Sequence, residues 1–572
     1  MRNYNKSLIK VIMACIMLAF SISSCKKFLL EKPETQYTTN NFFVDKASLD
    51  AGVVGVYSSV KDLFGVYTNT PLFMTEIGTD EAMFKGTSGV RYNFDRSTFS
   101  PSEGAIGEFW IRHFEIATRA NSIIAAANTV ANVSTADRDA IIGEARFLRA
   151  YVYFRLVQTY GELPITDQPV KGDFDYGQPR RSIKEVYDFI VSDLAFATSG
   201  VLPKAKTSNG HANHWAAQAL LGKVYLTMAS AKETAMSKTV GKVDGYKTIT
   251  ESVNDLYSKA WTVLKDVKDN SGAALLPNYG DVFKIENKNI NKESLWELQF
   301  STVVPYGTQW TKEYGMVGTG TINGNPAYYT NSLIGQGNLV YVPKFYKYYK
   351  PTLASPDYDK RRVWNLSDSL VNVVNSVPTS LTYIWGTSTP DSYNTIVLGR
   401  CGVTKYRWGP SWRTASQYLY SNCPNNVIVL RFADVLLMFA EADYKKNGTI
   451  STEGLAAINL VRQRARGLNA AGSPIQAAAT PGFKDYAASD ITIDEILMER
   501  ARELCFEFQR WYDLARTGRF EAFLEKTRSV TDTKIVNTST SFNPAKHYLF
   551  PIPQAELDLS TNKDNFKQNP NY

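Results

Sequence analysis

The sequence contains few of the residues that most often bind catalytic metals. Its 572 residues include only four His and five Cys, and no two cysteines stand in the C-x-x-C spacing of a zinc site or redox pair. His211 and His214 have the spacing of metal ligands, but no neighbouring Cys or Glu completes a site. The sequence therefore predicts neither a metal nor a cofactor.

Motifs of phosphate and acyl chemistry are also absent. There is no G-x-x-x-x-G-K-[ST] loop and no G-x-S-x-G elbow. Glu499, Glu503 and Glu507 stand four residues apart among three arginines, a pattern that favours a salt-bridged helix face. A glycosidase instead needs two carboxylates across one cleft. We expect no catalytic residue, and a surface glycosidase is kept as the alternative.

Strong positive charge and long apolar runs are missing as well. The chain has 63 Lys+Arg against 55 Asp+Glu and no basic block, so nucleic-acid binding has no support. After the first 24 residues, no apolar run approaches the roughly 20 residues of a membrane-spanning helix. Whatever holds the chain at a membrane must therefore be sought at its N-terminus.

The N-terminus has the pattern of a bacterial lipoprotein signal. Arg2, Lys6 and Lys10 precede an apolar run at 11–20, and small residues then lead to Cys25. The pattern resembles a lipobox, which predicts a signal peptide at 1–24, lipidation of Cys25 and a leader at 25–45. An ordinary signal peptide with an incidental cysteine is the alternative. Of the other cysteines, Cys401 and Cys423 could form a disulfide.

Helical periodicity dominates two parts of the mature chain, 46–300 and 426–572. The first is expected to include a helix through Ile141–Leu156 that stops at Gly161. A second helix in this part is expected to begin at the capping box of Ser182 and Glu185. A third is expected over Trp215–Met228, where Gly222 has tetratricopeptide-like spacing, and its partner helix is expected near Tyr257–Val267. In the second part the expected helices are Arg431–Tyr444, Leu455–Arg466 and one long helix over Ile493–Arg516, ending at Gly518.

Residues 301–425 interrupt this pattern and concentrate aromatic residues. The segment holds five of the ten Trp, and 14 of the 33 Tyr lie between positions 303 and 420. Loops on a rigid scaffold often carry binding function. Trp408, Trp412, Trp310 and Trp385 are therefore candidate ligand contacts, with packing of the segment on its scaffold as the alternative. The other tryptophans, Trp110, Trp215, Trp261, Trp296 and Trp511, stand in apolar contexts expected to be core.

Several stretches, in this order, resemble the SusD/RagB family of outer-membrane nutrient-binding lipoproteins. The resemblance is carried by Glu144–Ile165, Arg431–Ala442, Glu499–Arg519 and the terminal YLFPIPQAELDLSTNKDNFKQNPNY. It implies a mainly α fold in which tetratricopeptide-like helix pairs support an irregular ligand-binding region. It also implies a lipid-anchored binding protein without catalytic activity, which delivers an oligosaccharide, or in some relatives a peptide, to a SusC-like TonB-dependent transporter.

The resemblance adds one candidate residue and leaves two questions open. Asp80, within Glu76–Glu81, falls in a segment similar to one near the family's ligand loop and could accept hydrogen bonds from sugar hydroxyls; a structural role in the turn is the alternative. Lys26 and Lys27 stand where surface-exposed relatives often carry acids, so exposure on the cell exterior rests on the resemblance. A tetratricopeptide-like scaffold for a protein partner also stays open.

Overall fold

The computed structural model describes most of the two helical parts and only stretches of the aromatic-rich segment. The described residues are 42–64, 74–84, 86, 88–170, 175–301, 303, 307–308, 314, 321–322, 325–326, 339–349, 359–366, 369–374, 377–383, 403–406, 424–467, 484–528 and 540–572.

The described residues of the first helical part include seven α-helices. They are α1 Lys46–Asp62, α2 Val90–Arg96, α3 Gly104–Ala127, α4 Thr135–Tyr160, α5 Ile183–Phe196, α6 His214–Ser237 and α7 Val253–Asn270. Helix α4 ends at Gly161, whose φ of 76° is suited to glycine. Helix α5 begins behind the predicted capping box, in which Ser182 and Glu185 each accept a backbone hydrogen bond from the other. These sequence predictions are confirmed.

The remaining helices are short or lie in the second helical part. They are α8 Lys360–Asn365, α9 Phe432–Asn447, α10 Thr452–Ala465, α11 Ile493–Leu504, α12 Arg510–Thr517, α13 Phe520–Arg528 and α14 Gln554–Leu559. The left-handed glycines Gly448 and Gly518 end α9 and α12, and the helix end at Gly518 is where the sequence predicts it. Among the described residues, no helix has both the length and the apolar character that crossing a membrane requires.

The described strands form four antiparallel pairs: two join distant parts of the chain, and two are local hairpins. They are β1 Ala82–Phe84 with β5 Leu339–Tyr341, β2 Ser294–Leu298 with β8 Val427–Arg431, β3 Thr321–Ile322 with β4 Asn325–Pro326, and β6 Ser369–Val374 with β7 Val377–Tyr383. The β2–β8 pair brings the end of the first helical part onto the start of α9. One hydrophobic core runs through both parts, and Trp110, Trp215, Trp296 and Trp511 are buried in it as predicted, whereas Trp261 is partly exposed.

Gly222 allows α6 and α7 to pack closely, as the tetratricopeptide-like spacing predicts. A Cβ atom at this position would lie 2.7 Å from two side-chain carbons of Leu264 on α7, and Leu264 is fully buried. The partner helix predicted near Tyr257–Val267 is therefore confirmed, together with the reason for the glycine.

We expect Gly222→Ala to destabilise the fold because the new methyl group would displace Leu264. Gly55, in the middle of α1, is the matched control, since a Cβ there would meet nothing within 4 Å. Gly55→Ala should raise the free energy of unfolding by about 0.5–1 kcal/mol through helix propensity. The free energy of unfolding of Gly222→Ala, measured by urea unfolding, should be about 1–3 kcal/mol lower than that of the Gly55→Ala control. Equal changes at the two sites would contradict the close packing.

The predicted long helix over Ile493–Arg516 is wrong. Helix α11 ends at Leu504 and α12 begins at Arg510, and between them Phe506 and Phe508 have positive φ values of 62° and 61°. The conformation is unusual for bulky side chains. The groups that hold this turn come from remote parts of the chain, and they form the site described next.

Candidate functional site

The predicted ligand and lipid positions lie mostly outside the described residues. These positions are Cys25, Trp310, Trp385, Trp408 and Trp412, together with the possible Cys401–Cys423 bridge. Asp80 lies inside them. What the structure shows of the aromatic-rich segment is how three of its stretches, 339–349, 359–366 and 403–406, are fixed to the helical scaffold.

A buried set of charged side chains, the anchor cluster, joins two of these stretches to α11 and to the turn that follows it. Its cations are Arg361 and Lys405 from the segment and Arg431 and Arg464 from the second helical part; its carboxylates are Glu293, Glu499, Glu503 and Glu507. All eight are classed as buried. Charges removed from water in this way must be paired, because an isolated buried charge is very costly.

Arg431 lies at the centre of the anchor cluster. Its guanidinium donates to Glu503 at 2.6 Å, to Glu293 at 2.8 Å and to both oxygens of Glu507 at 2.8 Å each. It also donates to the backbone carbonyl of Glu503 at 2.8 Å. One side chain just before α9 therefore joins Glu293, the end of α11 at Glu503 and the following turn at Glu507.

Lys405 and Arg361 connect the aromatic-rich segment to the same carboxylates. The Lys405 ammonium donates to Glu507 at 2.5 Å and to the backbone carbonyls of Glu503 and Cys505 at 3.1 and 2.8 Å. The Arg361 guanidinium lies 2.8 Å from Glu499 and 2.9 Å from Glu503. Lys405 is three positions before Trp408 in the sequence, so the chain enters the candidate ligand region from a fixed point.

Two carboxylates of the anchor cluster, those of Glu499 and Glu503, are held in the charged form. Burial alone would raise the pKa of Glu499, but the guanidinium groups of Arg361, Arg462 and Arg502 lower it to about 2. Burial likewise opposes ionisation of Glu503, and Arg464, Arg431 and Arg361 still hold its pKa far below the usual value. These glutamates are ionised at neutral pH and bound to cations, which is a structural arrangement.

Asp80 and Glu81 support the turn between α11 and α12 from the other side. Both Asp80 oxygens accept from the Arg510 guanidinium at 2.7 Å, and one also accepts from the Tyr348 hydroxyl at 2.8 Å. A Glu81 oxygen accepts from the backbone N–H of Phe506 at 3.0 Å. Asp80 is fully buried, and these contacts favour the structural alternative weighed for it from the sequence.

Glu76 and Glu81 form a second buried acidic feature, in which the two carboxyl groups lie close enough for each to shift the pKa of the other. Burial raises the pKa of Glu76 well above its usual value, and the adjacent Glu81 raises it further. Burial, opposed by Arg510 and reinforced by Asp80, raises the pKa of Glu81 to about 7. Near neutral pH this pair therefore retains at least one proton that two exposed carboxyl groups would have released.

Aromatic rings pack around the turn between α11 and α12. Phe506 lies 5.7 Å from the Tyr314 ring and 6.0 Å from the Phe345 ring, and Tyr406 lies 5.7 Å from Phe283. The Tyr406 hydroxyl donates to the Phe506 carbonyl at 2.8 Å. Tyr314, Phe345 and Tyr406 of the segment are thus buried against the scaffold, which is the alternative role that the sequence left open for aromatic residues there.

His211 and His214 have separate surroundings. His211 Nδ1 lies 2.8 Å from a Glu144 oxygen, and this hydrogen bond raises the pKa of His211 despite partial burial. His214 is the first residue of α6 and its ring contacts Trp215. No group of three or more potential metal-binding side chains occurs in the part of the chain that the structure describes.

Sequence reasoning found three of the four glutamates of the anchor cluster, Glu499, Glu503 and Glu507, but missed most of their partners. Among the arginines near them in sequence, only Arg502 pairs with one of the three, Glu499 at 2.6 Å. Arg500 pairs with Asp434 and Asp513 instead.

The architecture is a mainly helical scaffold to which an aromatic-rich segment is attached by buried ion pairs. Comparison with known proteins identifies the family. A model described as "SusD family" matches residues 202–572, and one described as "Starch-binding associating with outer membrane" matches residues 27–226. The chain belongs to the SusD family. The resemblance read from the sequence and the predicted mainly α fold are both confirmed.

Individual relatives are similar along nearly their whole length. A SusD-like protein of Bacteroides ovatus is 26% identical over 534 residues, covering 91% of this chain and 84% of the relative. A solved laminarin-binding SusD-like protein has a TM-score of 0.69 at 22% identity, covering 92% of this chain and all of that one. A structure described with xylogluco-oligosaccharide has a TM-score of 0.66 at 20% identity, with coverages of 91% and 98%.

Proposed function

We propose that this protein binds an oligosaccharide at the outer membrane and delivers it to a SusC-like TonB-dependent transporter. The observation that carries the proposal is the extent of the family match: residues 202–572 include the whole aromatic-rich segment, 301–425. The names of two similar structures, one laminarin-binding and one with xylogluco-oligosaccharide, support a glycan over a peptide as the ligand.

The chemistry of the segment supports the same ligand class. A sugar presents apolar C–H faces and hydroxyl groups, so its binding site needs flat apolar surfaces with a few placed polar groups. Trp310, Trp385, Trp408 and Trp412 would supply the surfaces. The anchor cluster would hold the chain that carries them, which reduces the ordering cost paid when ligand binds. Asp80, bonded to Arg510 and Tyr348, would act by positioning this backbone.

The proposal is for binding without catalysis. A glycosidase places two carboxyl groups about 5–10 Å apart across an open cleft. The acidic groups of the anchor cluster are buried and bound to cations, and Glu76 and Glu81 are fully buried against each other. None of these described carboxylates faces a cleft, so none is placed to protonate a glycosidic oxygen.

Attachment to the membrane would come from the lipid on Cys25. Two or more acyl chains anchor a protein stably, at about 0.8 kcal/mol for each buried CH₂ group. An anchor of this kind leaves the folded part free to bind ligand over a transporter. We place the protein on the exterior face, where an oligosaccharide too large to diffuse inward would first be met.

Trp408→Ala and Trp412→Ala together should weaken oligosaccharide binding at least tenfold, or about 1.4 kcal/mol, because the stacking surfaces are lost. Isothermal titration of the mature chain in detergent would use starch-, laminarin- and xyloglucan-derived oligosaccharides, with chromatography of the ligand afterwards. Trp261→Phe, on α7 outside the segment, is the control. Shortened ligand would contradict binding without catalysis. Peptide binding in place of glycan binding, or no small-ligand binding, would favour the peptide or scaffold alternative.

A further inference from the structure

A second concave surface lies apart from the aromatic-rich segment. A cavity of about 530 Å³ opens between one face of α3, described residues of 164–170 and 175–178 after α4, and residues of 556–566 at the C-terminal end. None of its lining residues belongs to 301–425 or to the anchor cluster. Its volume lies within the roughly 300–1,000 Å³ of small-molecule sites.

The floor of this cavity, here called the α3 cavity, is aromatic. The Trp110 ring lies 4.9 Å from Phe114 and 6.2 Å from Phe566, with interplanar angles of 47° and 76°. The Trp110 indole N–H donates to the Glu556 carboxylate. Burial raises the pKa of Glu556, and the Trp110 hydrogen bond opposes that rise. The floor is thus a fixed ring surface with a carboxyl group at its edge.

Apolar side chains crowd the mouth of the α3 cavity. Ile111 is 47% exposed, Val170 46%, Tyr176 43% and Leu559 51%. These are four of the twelve large hydrophobic side chains that are strongly exposed among the described residues. Single exposed apolar residues are normal, but a group around one concavity indicates a binding surface.

Polar groups on the rim define what the cavity could hold. Glu115, Asp175 and Glu556 are acceptors, whereas Arg119 and Gln178 can donate. Asp175 is oriented by hydrogen bonds from the Gly177 N–H at 2.8 Å and the Gln178 amide at 2.6 Å. Three acids face two arginines here, since Glu115 also accepts from Arg112 at 3.2 Å. The remaining negative charge would disfavour an anionic ligand, and a purely apolar ligand would bury these polar groups without offering them hydrogen bonds.

We infer that the α3 cavity is a second carbohydrate site, selective for neutral saccharides over glycans that carry acidic groups. A neutral sugar satisfies both sets of groups: its C–H faces can lie on Phe114 and Tyr176, and its hydroxyl groups can donate to the carboxylates and accept from Arg119 and Gln178. The inference rests on the proposed function and adds a second point of contact for a long glycan, which would increase avidity if both sites bind one chain.

Ile111→Arg should block the α3 cavity by placing a long cation at its mouth, and Ile290→Arg is the matched control, since Ile290 is 73% exposed outside the cavity. The probes are neutral oligosaccharides derived from starch, laminarin and xyloglucan, titrated into the mature chain in detergent. We expect two binding events in the wild type. Ile111→Arg should weaken one at least tenfold, and Trp408→Ala with Trp412→Ala should weaken the other.

Tyr176→Ala tests the same surface without altering a helix, so a folding defect in Ile111→Arg would not leave the question open. Unchanged binding in both cavity variants, with the wild type still binding glycan, would overturn the inference and leave the proposed function standing. Absence of binding to every probe would instead overturn both. Loss of co-purification with a barrel partner at unchanged glycan binding would identify the surface as a protein contact and likewise overturn the inference.

Discussion

Replacing Arg431 by methionine is expected to lower the free energy of unfolding by about 3–5 kcal/mol, the usual cost of removing one partner from a buried ion pair. Arg431 donates to Glu293, Glu503 and Glu507 within 2.6–2.8 Å. Methionine would fill much of the volume but would leave three buried carboxylates with less compensating charge. The remaining cations, Arg361, Lys405 and Arg464, cannot replace its five hydrogen bonds.

A surface ion pair provides the control for this experiment. Arg112 donates to Glu115 at 3.2 Å on α3, and both side chains are about half exposed. Arg112→Met should change stability by at most about 1 kcal/mol, because exposed pairs contribute little. Both variants would be compared with the wild type by urea unfolding at neutral pH. Equal losses for Arg431→Met and Arg112→Met would show that the anchor cluster is no stronger than a surface pair.

The helical scaffold was predictable because its signals are local. Capping at Ser182, the stop at Gly161 and the close approach at Gly222 depend on residues within about four positions or on one small side chain facing a neighbouring helix. Such features are present in the sequence as spacing. The same holds for the left-handed glycines that end α9 and α12, since few other residues adopt that conformation without strain.

The break between α11 and α12 was not predictable, because its causes lie far away in sequence. The apolar spacing of Leu497, Leu504 and Trp511 continues through it. The carbonyls of Glu503 and Cys505 that a continuous helix would use are bound by Lys405, about 100 positions earlier in the chain. A helix gives up such backbone bonds only where other donors replace them.

The candidate site was predictable only in part for the same reason. Composition located the aromatic-rich segment, since aromatic enrichment in a Gly- and Pro-containing stretch can be read directly. The attachment of that segment depends on charges drawn from 361, 405, 431 and 464 onto the glutamates of α11 and the following turn. No spacing rule connects these positions, and only the fold brings them together.

Replacing Glu81 by glutamine is expected to change how stability depends on pH. The folded pKa of Glu81 is about 7, above the ordinary value of 4.5. Between these pH values the folded chain therefore holds more protons than the unfolded chain, and the free energy of unfolding falls as pH rises from about 4.5 to about 7. The shift corresponds to a loss of about 3 kcal/mol across that window, with no further loss from this group above it.

Glutamine keeps the hydrogen bond to the Phe506 N–H but cannot release the proton. Glu81→Gln should therefore match the wild type near pH 4.5 and become the more stable of the two above pH 7. The groups facing the pair are Glu76, Asp80, Lys405 and Arg510, and they stay in place in the variant. Urea unfolding at pH 4.5, 6 and 8 measures the difference, with Glu115→Gln on the surface of α3 as control.

The pH dependence of the free energy of unfolding below pH 4.5 distinguishes the effect of Glu81 from that of the anchor cluster. Glu499 has a folded pKa of about 2, so its contribution is present above about pH 4.5 and is lost as pH falls toward 2. That loss should be the same in Glu81→Gln and in the wild type, because Glu499 is paired with other arginines. A Glu81→Gln profile parallel to the wild type from pH 4.5 to 8 would show that the buried Glu76 and Glu81 pair does not hold the extra proton.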